Sequence, residues 1–257
     1  MNALHRFVTF LLLACAPCLT KARAEDPLQA QSEDLFPLPL DGAVTLENGG
    51  GSFHIFGWYE PRVRLVALRK AYTAARLEQI RIEKKAEPAA LAVRTIIPPA
   101  KGFFADRSGT VEYTVTVPET AHLKIKLGAG EITLQGLRGG RAEIELTNGR
   151  IIALNCYAQV RAHSVNGVAE AFYEWWENLP AKFDYVLQHG RIGARLPATA
   201  QFRVDAQTAN GRIGNGFNFT PQTEGDGQSL EAATRKDAPL AFHFRTGGGN
   251  ISIDSFR

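Results

Sequence analysis

Apolar residues recur at alternate positions along most of this chain, and each run ends at a glycine. Leu123, Ile125 and Leu127 precede Gly130 and Ile132, and Ala142, Ile144 and Leu146 precede Gly149 and Ile151. Val160, Ala162 and Ser164 stand before Gly167 and Ala169, and Phe183, Tyr185 and Leu187 before Gly190 and Ile192. Phe202, Val204, Ala206 and Thr208 lead to Gly211 and Ile213, and Phe242, Phe244 and Thr246 lead to Gly249 and Ile251. A seventh copy lies upstream, with Val44 and Leu46 before Gly51 and Phe53. Alternation of period two predicts half-buried strands, and a glycine at a fixed offset predicts a turn that needs positive φ or close backbone approach. From Gly130 the glycines step by 19, 18, 23, 21 and 38 residues, the last step spanning an insertion. Units of roughly 20 residues that cannot bury a face alone predict an all-β, single-domain β-solenoid of stacked repeats.

Between the upstream copy and the continuous repeats, Val63 to Ala67 and Ile80 to Lys84 read as strands, joined by a helical turn around Thr73 to Gln79. Ala89 to Ile97 is the expected antiparallel partner of Ile80 to Lys84, and Val111 to Val117 alternates cleanly up to Pro118. Two stretches interrupt the repeats. One is Phe172-Tyr173-Glu174-Trp175-Trp176-Glu177-Asn178-Leu179-Pro180; the other, residues 218–238, is a polar excursion that reads as a surface loop. The last repeat ends the sequence at Ile251 and Ile253, which predicts an exposed edge guarded by Asp254, Ser255 and Arg257.

The run Tyr113-Thr114-Val115-Thr116-Val117-Pro118, followed by Gly128-Ala129-Gly130-Glu131-Ile132, Thr147-Asn148-Gly149-Arg150-Ile151 and Val165-Asn166-Gly167-Val168, resembles the bacterial "putative adhesin" family. The likeness covers roughly residues 42–256 and departs from the family at the Trp-Trp insertion and the Gly-rich final loop. It implies an exported β-solenoid domain, and it supports fold and export more than activity.

The first residues are expected to lie outside the fold. Arg6, an apolar stretch from Phe7 to Leu19 and Ala22-Arg23-Ala24 form a secretory signal, so residues 1–24 read as a signal peptide. The alternative is a lipoprotein signal, Leu12-Leu13-Ala14-Cys15, that leaves a lipid on Cys15. Thirteen apolar residues are too few to span a bilayer, and no later segment reads as transmembrane. Residues 25–41 read as an N-terminal arm and 42–257 as the repeat domain. The chain holds 29 basic and 26 acidic side chains, and the signal holds three of the basic ones, Arg6, Lys21 and Arg23. A mature chain is therefore neutral overall, which argues against nucleic acid as a partner. Residues 25–60 carry seven acids and no Lys or Arg, whereas residues 61–86 carry eight basic residues and two acids. These segments are expected to lie side by side. With Cys15 and Cys18 in the signal, only Cys156 remains, which excludes an intramolecular disulfide or a Cys-based zinc site. Cys156 reads as a small buried hydrophobe.

Parallel β-solenoids can host polysaccharide lyases and hydrolases, so a carbohydrate-active enzyme is the competing class. That chemistry needs converging carboxylates, or a metal held by several oxygens. Glu131, Glu143, Glu145, Glu170, Asp184 and Asp205 read as sitting at different repeat offsets, and Asp184 with Asp205 as a solvated pair. His54, His122, His163, His189 and His243 show no ligand spacing, and no nucleophile or phosphate-loop motif occurs. No catalytic, cofactor or metal residue is assigned. Two candidate binding surfaces remain. Arg150, Arg191 and Arg212 follow the turn glycine in three repeats, with Val168 the exception, and would line one edge facing an anionic glycan. Tyr173, Trp175 and Trp176 either present an aromatic platform or fold back as a plug. The resulting expectation is a non-enzymatic envelope protein that contacts a glycan or a protein partner, with oligomeric state open and end-to-end self-association a third reading.

Overall fold

A computed structural model describes residues 26–102 and 105–256; the signal-peptide and Cys15 readings and Arg257 lie outside these residues. Strands dominate. They are β1 (Leu28–Pro37), β2 (Ala43–Trp58), β3 (Arg62–Ala71), β4 (Arg81–Glu87), β5 (Ala90–Ile96), β6 (Thr110–Pro118), β7 (His122–Gln135), β8 (Arg138–Leu154) and β9 (Tyr157–Phe172). The chain continues through β10 (Ala181–Pro197), β11 (Phe202–Thr208), β12 (Ile213–Asn215), β13 (Gln222–Glu224), β14 (Gly227–Ala233), β15 (Leu240–Gly248) and β16 (Ile251–Phe256). One short helix, α1 (Ala74–Gln79), follows β3, and its N-cap Thr73 hydroxyl accepts from the Arg76 amide at 3.2 Å.

All sixteen strands belong to one mixed sheet that does not close. Its central part is a parallel ladder, β2-β7-β8-β9-β10-β15, whose glycines lie in register: Gly51 opposite Gly130, Gly130 opposite Gly149, Gly149 opposite Gly167, Gly167 opposite Gly190. Buried positions fall at odd offsets before each glycine and at even offsets after it, as with Ile125 and Leu127 before Gly130 and Ile132 and Leu134 after it. An uninterrupted strand would send the second set to the opposite face. The left-handed backbone at the glycine, φ 138° at Gly130 and 140° at Gly149, changes the facing so that both halves feed one core. The fit is tight. A Cβ on Gly130 would lie 1.8 Å from the Gly51 carbonyl oxygen, and one on Gly149 would lie 1.8 Å from that of Gly130.

The rungs do not stack in chain order. β15 pairs with β10 on one side and β11 on the other, and β16 lies between β10 and β12. The last repeat therefore fills a slot between the fourth and fifth, and its strand is an interior one. The expected exposed edge with Asp254 and Ser255 as guards is corrected accordingly. Aromatic packing accounts for the slot. Phe242 sits 5.5 Å from Phe183, and Phe244 stacks on Tyr185 at 5.6 Å, so the bulkiest rungs are neighbours. The polar excursion is also more than a loop: β13 and β14 form an antiparallel hairpin laid on β11, with Leu230 buried. It caps the end that the last repeat was expected to leave open.

At the other end β6 runs parallel to β2, and β3 and β1 add antiparallel rungs. The arm read over residues 25–41 lies here as β1, with one face half-buried and the other exposed. Its weak alternation reflects an edge strand rich in polar residues. The acidic and basic segments meet as expected, with Arg64 Nε 2.7 Å from Glu33 Oε1 and Lys84 Nζ 2.5 Å from Asp34 Oδ2. β4 and β5 form the expected antiparallel pair, and β5 also lies parallel to the start of β2. Cys156 is fully buried, and that burial pushes its thiol up to about 12.

Gly149→Ala adds a clashing Cβ at a positive φ and is expected to cost more than about 3 kcal/mol in chemical denaturation. Gly50→Ala, whose nearest neighbour would be 3.8 Å away, is expected to stay within about 1 kcal/mol of the parent. Equal denaturation midpoints for the two variants would contradict the corner role of the glycine column.

Candidate functional site

Because the glycines are in register, each offset from them becomes a column of side chains crossing the rungs. The first position after the glycine holds Ser52, Glu131, Arg150, Val168 and Arg191 in spatial order, then Asn250 and Arg212; the arginines and Asn250 are exposed, and Ser52, Glu131 and Val168 half-buried. The three arginines thus share a column, but none is adjacent to another. Arg150 lies opposite Glu131 and is separated from Arg191 by Val168, and Asn250 stands between Arg191 and Arg212. At about 4.8 Å per rung, neighbouring arginines start ~10 Å apart, so mutual repulsion is weak. Arg191 Nη2 lies 3.3 Å from Glu170 Oε1. Among the described residues no carboxylate lies within ion-pair distance of Arg150 or Arg212.

Arg191 and Arg212 border a groove of about 880 Å³ on the outer face of the rung halves that follow the glycines. Its floor comes from the third and fifth positions after each glycine. Ile152, Leu154 and Phe172 supply apolar surface on β8 and β9, Glu170 of β9 stands between Ile152 and Gly193, Ser252 and Asp254 come from β16, and Gly193 and Gly214 supply no side chain on β10 and β12. Arg195 closes the side away from the corner. Its guanidinium lies 5.6 Å from the Phe172 ring centre and 5.5 Å from that of Phe256. Arg195 and the two glycines were not singled out in the sequence. The signal for them is the offset read in spatial rather than chain order.

The aromatic insertion separates into three roles. Tyr173 is fully buried, and its hydroxyl donates to the Cys156 carbonyl at 2.5 Å. Trp176 is half-buried against the core, edge-on to Tyr157 at 6.4 Å and Tyr173 at 6.1 Å. Trp175 is 48% exposed, and its indole Nε1 donates to Glu177 Oε1 at 2.8 Å. Only Trp175 presents substantial surface outward. The insertion is fastened by Arg138, whose Nη2 and Nη1 donate to Glu177 Oε1 and Oε2 at 2.6 and 2.7 Å.

A second column was missed. Glu143, Asp184 and Asp205 share one offset, six residues before the glycine, which corrects the reading that the acids are scattered. In space the column runs Thr45, Lys124, Glu143, Arg161, Asp184, His243, Asp205. Charges of opposite sign are therefore largely interleaved. Arg161 Nε lies 3.5 Å from Asp184 Oδ2, and the two nitrogens of the His243 ring lie 2.9 Å from Asp184 Oδ1 and 3.6 Å from Asp205 Oδ2. Arg245 Nη2 donates to Asp205 Oδ2 at 2.6 Å. Burial pulls the Asp184 carboxyl up, but the His243 hydrogen bond and the charges of His243, Arg161 and Lys182 outweigh it and hold the group below its ordinary value. Asp184 and Asp205 are thus engaged by cross-strand partners, an arrangement that ties rungs together.

The Arg138 hydrogen bonds, with a smaller part from Trp175, hold the Glu177 carboxyl down at about 2 against an ordinary 4.5. A lowered folded value means that this pair stabilises the insertion fully above pH 4.5 and releases it as pH falls toward 2. Tryptophan emission should therefore change across that window in the parent. Glu177→Gln should already show the acid-side emission at neutral pH, and superimposable titrations would contradict the pairing.

Neither a protein-family model nor a curated protein matches the chain. Among solved structures it is similar to a putative cell adhesion protein from Clostridium sporogenes, at 13% identity and a TM-score of 0.46, covering 88% of this chain and 100% of that one. It is also similar to a putative adhesin from Bacteroides fragilis, at 12% identity and a TM-score of 0.33, covering 90% of this chain and 100% of the other. A third, a putative adhesin from Parabacteroides merdae, aligns at 6% identity and a TM-score of 0.23, over 88% of this chain and 96% of that one. The similarity is distant, and the functional reading rests on the chain's own geometry.

Proposed function

We propose that this chain is an exported, non-enzymatic β-solenoid of the bacterial envelope that binds an anionic envelope component through the groove beside its glycine column. The solenoid reading is supported by the in-register parallel rungs, each turned at a left-handed glycine around one core. Export is supported by the residues of the leader, and no helix among the described residues is long and apolar enough to cross a membrane.

The observation that carries the binding reading is the groove's set of guanidinium groups. Arg191, Arg195 and Arg212 line it together with Glu170, Glu174 and Asp254, and of these three arginines only Arg191 has, among the described residues, a carboxylate within ion-pair distance. Arg212 has neither a carboxylate nor an aromatic partner among the described residues, and such a guanidinium at a concave surface favours phosphate or carboxylate, which it holds through paired hydrogen bonds. The exposed Trp175 indole supports a second reading, in which a glycan stacks on the insertion.

Binding of the purified protein to phosphate- and carboxylate-bearing envelope polymers, at low and high salt, tests the proposal. Arg191→Ala with Arg212→Ala is expected to weaken salt-sensitive binding by about tenfold or more. Unchanged binding by that double variant, with loss on Trp175→Ala, would move the site to the insertion.

A further inference from the structure

We infer that Asn210 is a modification site, where the folded chain loses ammonia by cyclisation onto the amide nitrogen of Gly211. The fold holds the other Asn-Gly pairs back.

Five asparagines stand directly before a glycine: Asn48, Asn148, Asn166, Asn210 and Asn215. The pairing has a chemical consequence, because glycine has no Cβ to obstruct its own amide nitrogen. In the reaction that nitrogen attacks the asparagine Cγ. A nitrogen–carbon bond forms, the Cγ–Nδ2 bond breaks, and Nδ2 leaves as ammonia with the proton that the amide nitrogen gives up. The succinimide ring then takes up one water molecule. Opening at Cγ gives aspartate, and opening at the main-chain carbonyl gives isoaspartate. No electrons are exchanged, and water is the only co-reactant.

Four of the five sites oppose that step. Asn48 is buried, and its Nδ2 donates to the Val111 carbonyl at 2.9 Å. Asn215 Oδ1 accepts from the Phe219 amide at 2.9 Å, and its Nδ2 donates to the Phe219 carbonyl at 2.9 Å. Asn148 and Asn166 are exposed, but they lie inside β8 and β9, which pass the glycine corner without a break and are paired on both sides. Their side chains are also joined, Asn166 Nδ2 donating to Asn148 Oδ1 at 3.0 Å. Ring closure strips the glycine nitrogen of its hydrogen and draws it onto the preceding side chain. At these two sites the ladder must open first.

Asn210 is placed differently. β11 stops at Thr208 and β12 starts at Ile213, so this corner is crossed outside any strand. Asn210 is exposed, and among the described residues its carboxamide has no hydrogen-bond partner. The Gly211 amide makes only a long bond, 3.3 Å, to the Asp226 carbonyl on the turn between β13 and β14. Nucleophile and target are therefore both accessible at one corner. Either product sets a carboxylate two residues from Arg212. Isoaspartate also lengthens the main chain where the Asn210 carbonyl accepts from the Gly249 amide at 2.8 Å.

Ageing the purified full chain in warm, mildly alkaline buffer, with tryptic peptides mapped by mass spectrometry at intervals, tests this. The peptide Val204–Arg212 has Asn210 as its only asparagine, and Ala142–Arg150 has Asn148 as its only one. The first is expected to gain the mass of water less that of ammonia at least about tenfold faster than the second, or than the peptide carrying Asn166, since those sites must open locally. In denaturant the five sites should react at similar rates. Asn210→Gln breaks no hydrogen bond, so it should melt with the parent and accumulate acidic species in isoelectric focusing at less than about half the parent rate. Reaction of the folded chain led by Asn48, Asn148, Asn166 or Asn215 would overturn the assignment. So would a folded chain that stays intact while the denatured chain reacts. The same tenfold preference in denaturant would trace the selectivity to sequence and overturn the structural account.

Discussion

The structure depends on one close contact repeated from rung to rung: a glycine backbone lying directly against the carbonyl of the glycine beneath it. A Cβ added at Gly130, Gly149, Gly167, Gly190, Gly249 or Gly211 would approach that oxygen to between 1.8 and 2.1 Å. Nothing larger than hydrogen fits, so the corners can be superposed only at these positions. Once they are, each rung has a single register, because a slip of one residue would turn its apolar set outward. The apolar columns, the charged column and the arginine column are all consequences of that alignment.

The same contacts reveal the true order of the rungs. Gly249 lies against Gly190, and Gly211 lies against Gly249, so the last repeat separates two repeats that are consecutive in the chain. Packing agrees, since Phe242 and Phe244 continue the aromatic stack begun by Phe183 and Tyr185. So does charge, since His243 is placed between Asp184 and Asp205. Putting the repeat at the end of the stack would leave those two carboxylates facing each other. The intercalated order also brings Ser252, with its small side chain, between Gly193 and Gly214 and keeps the groove open.

Much of the local structure was legible in the sequence, because alternation and glycine offset are local signals. The strands around Leu123 to Ile192, the hairpin of Ile80 to Lys84 with Ala89 to Ile97, the helical turn after Thr73 and the burial of Cys156 all followed from them. What was not legible is whatever depends on spatial order. The arginines share an offset that was visible, yet their separation by Val168 and Asn250 required knowing which rungs touch. The interleaved charges at Lys124, Glu143, Arg161, Asp184 and His243 were missed although their offset is equally regular, since acids and bases alternate between rungs rather than recur. β1 and the hairpin of β13 and β14 were missed because half-exposed edge strands carry polar residues on the face that alternation would need.

The intercalated stack is the claim on which the groove, the charged column and the cap all rest, and proton–proton contacts in solution test it most directly. With selectively labelled aromatic residues, the Phe244 ring is expected to show nuclear Overhauser effects to both the Tyr185 ring and the Ala206 methyl group. Direct contacts between Tyr185 and Ala206, with Phe244 remote from one of them, would place the repeats in chain order and contradict the account.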